Sequence, residues 1–268
     1  MKRLFYLYLL LLGSAYAWEE EQAAFFEKNG YLGPFSLLRQ EDAERVCEQL
    51  NHVQRMPLKQ SSLNESRYWS KNHLFLTPII VEIAKREELV GLIKLFLGPN
   101  LLLWGVELVN RSSGVMHRWH VDIEHTGWEG ITAWLPLRNV ALPSTIRFIP
   151  GSQRYDVIPQ ILGNDVNLKN DQEVLDEARK IDPHAHIITM DMQPGQFVLF
   201  AGRMWHSSVN ESMATRQALI FQYCRPDAEV RIPLSYTIPT KWAVQRPWVL
   251  HVAGEEDRCG TNFLHPQP

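Results

Sequence analysis

Beyond Pro99 the sequence breaks into short apolar runs: Leu101 to Val109, Thr132 to Leu137, Ile146 to Ile149, Ile187 to Met192, Gln196 to Phe200 and Ala218 to Cys224. Each is bounded by Gly, Pro, Asn or Asp, and such a series specifies a many-stranded antiparallel sandwich or barrel. Upstream the period is helical. Ala23, Ala24, Phe25 and Phe26 ahead of Asn29-Gly30 predict a short amphipathic helix from Glu20, and Ala43, Val46, Cys47 and Leu50 share one face of a second over Glu41 to Val53. Pro78 to Leu97 predicts one or two more helices, closed by Gly98-Pro99, and the polar interval Gly163 to Lys180 holds another around Asp171 to Lys180. The expected fold class is mainly β with flanking α-helices. In 268 residues, 45% hydrophobic, there is no internal repeat or interdomain linker, so residues 18–268 read as a single domain.

Composition narrows the partners. With 27 Lys and Arg against 30 Asp and Glu, the net charge of −3 provides no basic field for nucleic acid or an anionic membrane. No run reaches the length of a membrane span, and no protein partner is indicated. Cys47, Cys224 and Cys259 are far apart and lack C-x-x-C spacing, which excludes a disulfide framework and a thiolate zinc site. Nine Trp and ten His, residues that favour pockets, direct attention to a site.

The central motif is His117-Arg118-Trp119-His120-Val121-Asp122. On a strand, H-x-D turns an imidazole and a carboxylate to the same face. A third ligand is offered by His206, at the end of Pro194 to His206, where a P-G turn launches an apolar strand. Two His and one Asp make the facial triad of non-haem Fe(II) oxygenases, with positions left open for a bidentate cosubstrate and dioxygen; zinc would accept the same ligands. Arg216, ten residues after His206, opens the strand Ala218 to Cys224. From there its planar fork can grip the carboxylate of a small dicarboxylate such as 2-oxoglutarate.

These residues resemble the phytanoyl-CoA dioxygenase family, Fe(II)- and 2-oxoglutarate-dependent oxygenases with a double-stranded β-helix (jelly-roll, cupin-like) core. Phe25 to Leu32 is similar to the family's opening helix, Trp119 to Asp122 to its metal strand, Phe148 to Arg154 to its P-G-S-H turn with Gln153 in the histidine's place, and Pro194 to His206 to its distal-histidine strand. The resemblance implies that His120, Asp122 and His206 bind iron. It implies further that Arg216 binds the distal carboxylate of 2-oxoglutarate with Ser208 assisting, and that Trp134 lines the cosubstrate pocket. The implied reaction uses O2, with ascorbate as reductant, and hydroxylates a small-molecule substrate with release of succinate and CO2. Asp122 speaks against a halogenase, which would carry a small residue there.

Other candidates are weaker. Lys71 and His73 stand in a loop-like stretch, and Glu124, His125, Trp128 and Arg147 follow or face the metal motif, where they could select substrate. Asn64, Asn110 and Asn210 begin glycosylation sequons, with Asn210 set too near the site to be used. Beyond Arg118, Arg147 and Arg154 there is no basic cluster for the phosphates of a CoA thioester. A non-catalytic jelly-roll protein binding a small ligand, or a zinc or manganese hydrolase, is the competing class, distinguished by metal analysis and succinate production.

Residues 1–17 have the layout of a secretory signal: Lys2-Arg3, an apolar run from Leu4 to Leu12, then Ala15-Tyr16-Ala17. The expectation is a lumenal enzyme of the secretory pathway, the alternative being a cytoplasmic one. Cleavage after Ala17 predicts Trp18 as the first residue of protein from its native source, which N-terminal sequencing checks; an intact Met1 rejects it.

Overall fold

The computed structural model describes residues 17–55, 77–124, 128–163, 165–231, 247–255 and 260–265. The signal-like segment before Ala17, Lys71, His73, His125, Cys259 and the Asn64 sequon lie outside them. Helix α1 covers residues 17–29. There follow β1 (Tyr31–Ser36), α2 (Gln40–Arg55), α3 (Pro78–Ala84) and α4 (Glu87–Leu97), then β2 (Leu101–Arg111), β3 (Met116–His120), β4 (Gly130–Arg138) and β5 (Ile146–Phe148). The chain continues through α5 (Pro159–Leu162), α6 (Asp171–Ile181), β6 (Ile188–Thr189), β7 (Gln196–Ala201), β8 (His206–Val209) and β9 (Arg216–Cys224) to β10 (Trp248–Ala253) and β11 (Phe263–Leu264).

The strands form two sheets, one ordered β1-β7-β4-β9-β2-β10-β11 and the other β3-β8-β5-β6. Among the described residues, pairing is antiparallel except between β10 and β11. Alternation along the large sheet sends Ile131, Ala133, Leu135, Leu219 and Phe221 to one face, where they meet Ala43, Val46, Cys47 and Leu50 of α2 together with residues of α3 and α4. The opposite face sends Trp134, Val198, Phe200 and Ala218 toward Ile146 and Phe148 of the small sheet, closing a core between the sheets. A third cluster lies outside the small sheet, where Trp119 and Trp205 pack on Val174, Leu175 and Ala178 of α6. Among the described residues, no helix is long and apolar enough to cross a membrane.

Most expected elements form within a few residues of their expected bounds. Pro78 to Leu97 divides into two helices at Lys85-Arg86, and Ile187 to Met192 pairs only over Ile188–Thr189. Strand β1 escapes the periodic reading because Gly33-Pro34 resembles a turn. It lies at the sheet's edge with a register shift between Leu32 and Phe35, a place where proline removes no required donor.

The turn into β7 fixes how α2 approaches the sheet. Leu37 and Leu38 donate their N–H groups to the Gly195 carbonyl at 3.0 and 2.9 Å, and Gly195 donates to Pro136 at 2.8 Å. Gly195 has φ +88°, and a Cβ there would sit 2.3 Å from the Leu38 carbonyl oxygen. Gly195→Ala therefore combines left-handed strain with a backbone clash. It should cost about 2–4 kcal/mol, read as a fall of roughly 4 °C or more in melting temperature.

Candidate metal and cosubstrate site

His120, Asp122 and His206 converge at one end of the space between the sheets, with one ligand atom from each lying within 4.8 Å of the others. Asp122 Oδ1 stands 3.9 Å from His120 Nε2 and 3.7 Å from His206 Nε2. The second polar atom of each side chain is held elsewhere. His120 Nδ1 lies 2.8 Å from the Arg118 carbonyl, His206 Nδ1 lies 2.9 Å from the Met204 carbonyl, and Thr132 donates its hydroxyl to Asp122 Oδ2 at 2.5 Å. Carbonyls accept only, so each Nδ1 carries the proton and each Nε2 presents its lone pair to the centre.

The backbone delivering these groups departs from the expectation. Strand β3 ends at His120, so Asp122 is not on the strand; it sits in the bend beyond, where Asp122 and Ile123 both donate N–H to the Gly202 carbonyl at 2.9 and 3.0 Å. Nor does His206 ride on the apolar strand after Pro194-Gly195. Strand β7 stops at Ala201, and His206 opens β8 in the other sheet. A single strand could not do both jobs, because the apolar run must stay in the large sheet's core while the imidazole must face His120 across the small one.

Three residues to which the sequence assigns no individual role hold this geometry. Gln160 brackets Val121, accepting from its N–H at 3.1 Å and donating to its carbonyl at 2.8 Å. Ser152 accepts from the Trp205 N–H at 2.8 Å and so fixes the chain just before His206. His117 opposes Ser208, and a register shift before the His120–His206 pair stacks its ring 4.1 Å from that of His120. Period-two counting assigns these two histidines to opposite faces; only the bulge brings them together.

Arg216 is wholly buried. Its guanidinium donates to Ser208 Oγ at 2.8 Å and to the Val209 and Thr145 carbonyls at 2.9 and 3.4 Å, and it lies 5.6 Å from the Trp134 ring. None of these partners is anionic, and Nε has no partner. Burial, with the Arg111 charge across the strand pair, pulls the group down to about 10, which leaves it a cation at neutral pH. A buried cation without a counter-charge is costly and waits for an anion. The donor set therefore fits a divalent metal on the triad and a small dicarboxylate reaching from it to Arg216.

The remaining candidates divide. Trp128 packs edge-on to Trp104 at 5.2 Å in an apolar cluster, and Glu124 lies two residues past Asp122. Arg147 does not serve the site: it alternates away from Phe148 and His206 and pairs on the small sheet's outer face with Asp171 at 2.5 Å and Ser207 at 2.8 Å. Asp171 also accepts from the Trp119 indole at 2.9 Å, so this ion pair fastens α6. Arg154 spends its donors on the Lys28 and Glu27 carbonyls. The Asn210 side chain is buried and donates to Arg111 and Ala214 carbonyls, which leaves no room for a glycan.

Residues 26–218 match the sequence profile described as phytanoyl-CoA dioxygenase (PhyH). The chain belongs to that family. No curated protein matches it significantly by sequence. Among solved structures, the phytanoyl-CoA dioxygenase family chain is similar to a non-heme monooxygenase, the ThoJ-Ni complex, with TM-score 0.65 and 17% identity over 92% of this chain and 89% of that one. It is similar to EctD from S. alaskensis with bound Fe, with TM-score 0.61 and 18% identity over 83% and 82% of the two chains. It is also similar to CytC3 with Fe(II) and alpha-ketoglutarate, with TM-score 0.56 and 18% identity over 92% and 96%. At such identities the likeness establishes the fold, a cupin-like pair of antiparallel sheets with flanking helices. Within this family member, Thr132→Val removes the hydroxyl that orients Asp122 while keeping a β-branched shape. Metal affinity, read by competition with a chelating dye, should fall by about 10- to 100-fold.

Proposed function

We propose that the protein is an Fe(II)- and 2-oxoglutarate-dependent dioxygenase that hydroxylates a small molecule. The observation that carries this reading is the wholly buried, uncompensated Arg216 facing the same inter-sheet space as the His120, Asp122 and His206 cluster. A zinc hydrolase or a simple binding module has no use for both. Bound Fe(II) with 2-oxoglutarate supplies activation of O2, coupled to release of succinate and CO2. The chain's part is to hold and exclude. His120, Asp122 and His206 would hold the metal, Arg216 with Ser208 would anchor the far carboxylate of the cosubstrate, and Trp134 with Phe200 would keep water from the space between.

The substrate is proposed to be a small metabolite and not a CoA thioester. Of the three arginines that could meet phosphates, Arg147 is paired with Asp171 and Arg154 is bound to α1 carbonyls. Ascorbate is the proposed reductant. From the leader-like sequence we also propose a lumenal location.

Anaerobic addition of Fe(II) and 2-oxoglutarate should produce the cosubstrate's metal-to-ligand absorption band, and its absence from folded protein overturns the reading. Arg216→Ala should weaken 2-oxoglutarate by roughly 30- to 1000-fold, the equivalent of about 2–4 kcal/mol for a charge-assisted two-point contact, with metal retained. Asp122→Ala should lose metal first. Equal 2-oxoglutarate affinity in wild type and Arg216→Ala rejects the anchor.

A further inference from the structure

At the level of the metal cluster, one row of inward residues crosses the large sheet from β7 to β2. It runs Phe200, Thr132, Gln222 and Gly105, each opposite the next in register. Phe200 packs on the His206 ring with centroids 4.6 Å apart, and Thr132 donates to Asp122. Gln222 is the next residue in that row, its side chain neighbouring that of Thr132 as cross-strand pairs do. It is 1% exposed, yet neither Nε2 nor Oε1 has a hydrogen-bond partner. A buried carboxamide with both ends unsatisfied is strongly disfavoured unless something outside the fold completes it.

The surroundings show what could do so. Gly105 sits at a shift in the β2–β9 register, and a Cβ there would lie 2.6 Å from Gln222 Oε1, so the missing side chain is the space the amide occupies. Along β9 the same face carries Ile220 before Gln222 and Cys224 after it. Cys224 belongs to an apolar cluster with Trp104 and Trp128, and the Trp128 indole N–H is likewise unpartnered. Arg216 is six residues from Gln222 along the strand, about 20 Å, so the amide and the cosubstrate anchor stand at opposite ends of the face. No cation accompanies Gln222 in this set, which disfavours a carboxylate.

We propose that Gln222, in the notch left by Gly105, is the specificity-determining contact for the substrate, pairing with a neutral carboxamide or lactam carried on an apolar body. This rests on the dioxygenase reading above. Oε1 accepts from the substrate N–H and Nε2 donates to its carbonyl, two contacts that an ester of the same shape cannot both return. The substrate body then extends toward Trp128, the partly exposed residue that packs against the Trp104 and Cys224 cluster.

Three measurements test the assignment. In metal-free protein, Gln222→Met removes an unpaired amide at nearly constant volume and should raise the melting temperature by about 3 °C or more. With Fe(II) and 2-oxoglutarate bound, calorimetric titration and substrate-stimulated 2-oxoglutarate consumption should favour primary amides and lactams over esters and carboxylates of the same hydrocarbon skeletons. Gln222→Met should weaken the amides by about 10- to 100-fold, leave the esters unchanged and leave 2-oxoglutarate affinity unchanged. Gly105→Ala should displace the flexible amide and reproduce the loss without the gain in stability. A lower melting temperature in Gln222→Met, or no preference for amides in the wild type, overturns the proposal. Absence of the metal-to-ligand band in the wild type overturns the dioxygenase reading instead, and the metal-free melting comparison still reports on Gln222.

Discussion

An imidazole can present either of two nitrogens, and a metal site exists only where that choice is made in advance. Here the backbone makes it. The carbonyls of Arg118 and Met204, each two residues before the histidine it serves, take the Nδ1 protons and leave Nε2 aimed at the centre. Placing those carbonyls requires Ser152 to hold Trp205, and Gln160 to hold Val121. The turn carrying Ser152 is in turn tied to α1 through Gln153 and Arg154. Much of the architecture that looks peripheral thus converges on the angle of two rings.

Arg216 is the complementary constraint. Its burial removes hydration from a permanent cation, and three neutral oxygens only partly replace it. The strand it opens is the one that pairs with both β2 and β4, at the middle of the large sheet. The cost is therefore borne on a strand paired along both edges, and the guanidinium is oriented by its hydrogen bonds to Ser208, Val209 and Thr145.

The helices and most strands are legible in the sequence because burial on one face leaves a periodic imprint, as Ala43, Val46, Cys47 and Leu50 show by packing together on the sheet. The candidate site is legible through spacing: His120, Asp122 and His206 meet in one cluster, and Arg216 is buried at the start of the strand that follows. What spacing conceals is irregular backbone. The bend that returns Asp122, the shift that stacks His117 on His120, and the switch of His206 into the second sheet are each fixed by contacts far apart in the chain. Arg147 misleads for the opposite reason. Its neighbours in sequence face the site, but alternation turns it outward to Asp171. Gln222 looks like any polar residue in a strand until its lack of partners is seen.

The cluster draws its members from both layers. His120 and His206 stand on the small sheet, whereas Asp122 is fastened to the large one through Gly202 and Thr132. An ion bound there would consequently be a rivet between two plates, its grip dependent on their separation. By reciprocity, anything that wedges the plates apart loosens the ion, and the ion damps their breathing by the same free energy. On the proposed function, a substrate entering between the sheets and a metal held at their junction would be in mechanical communication.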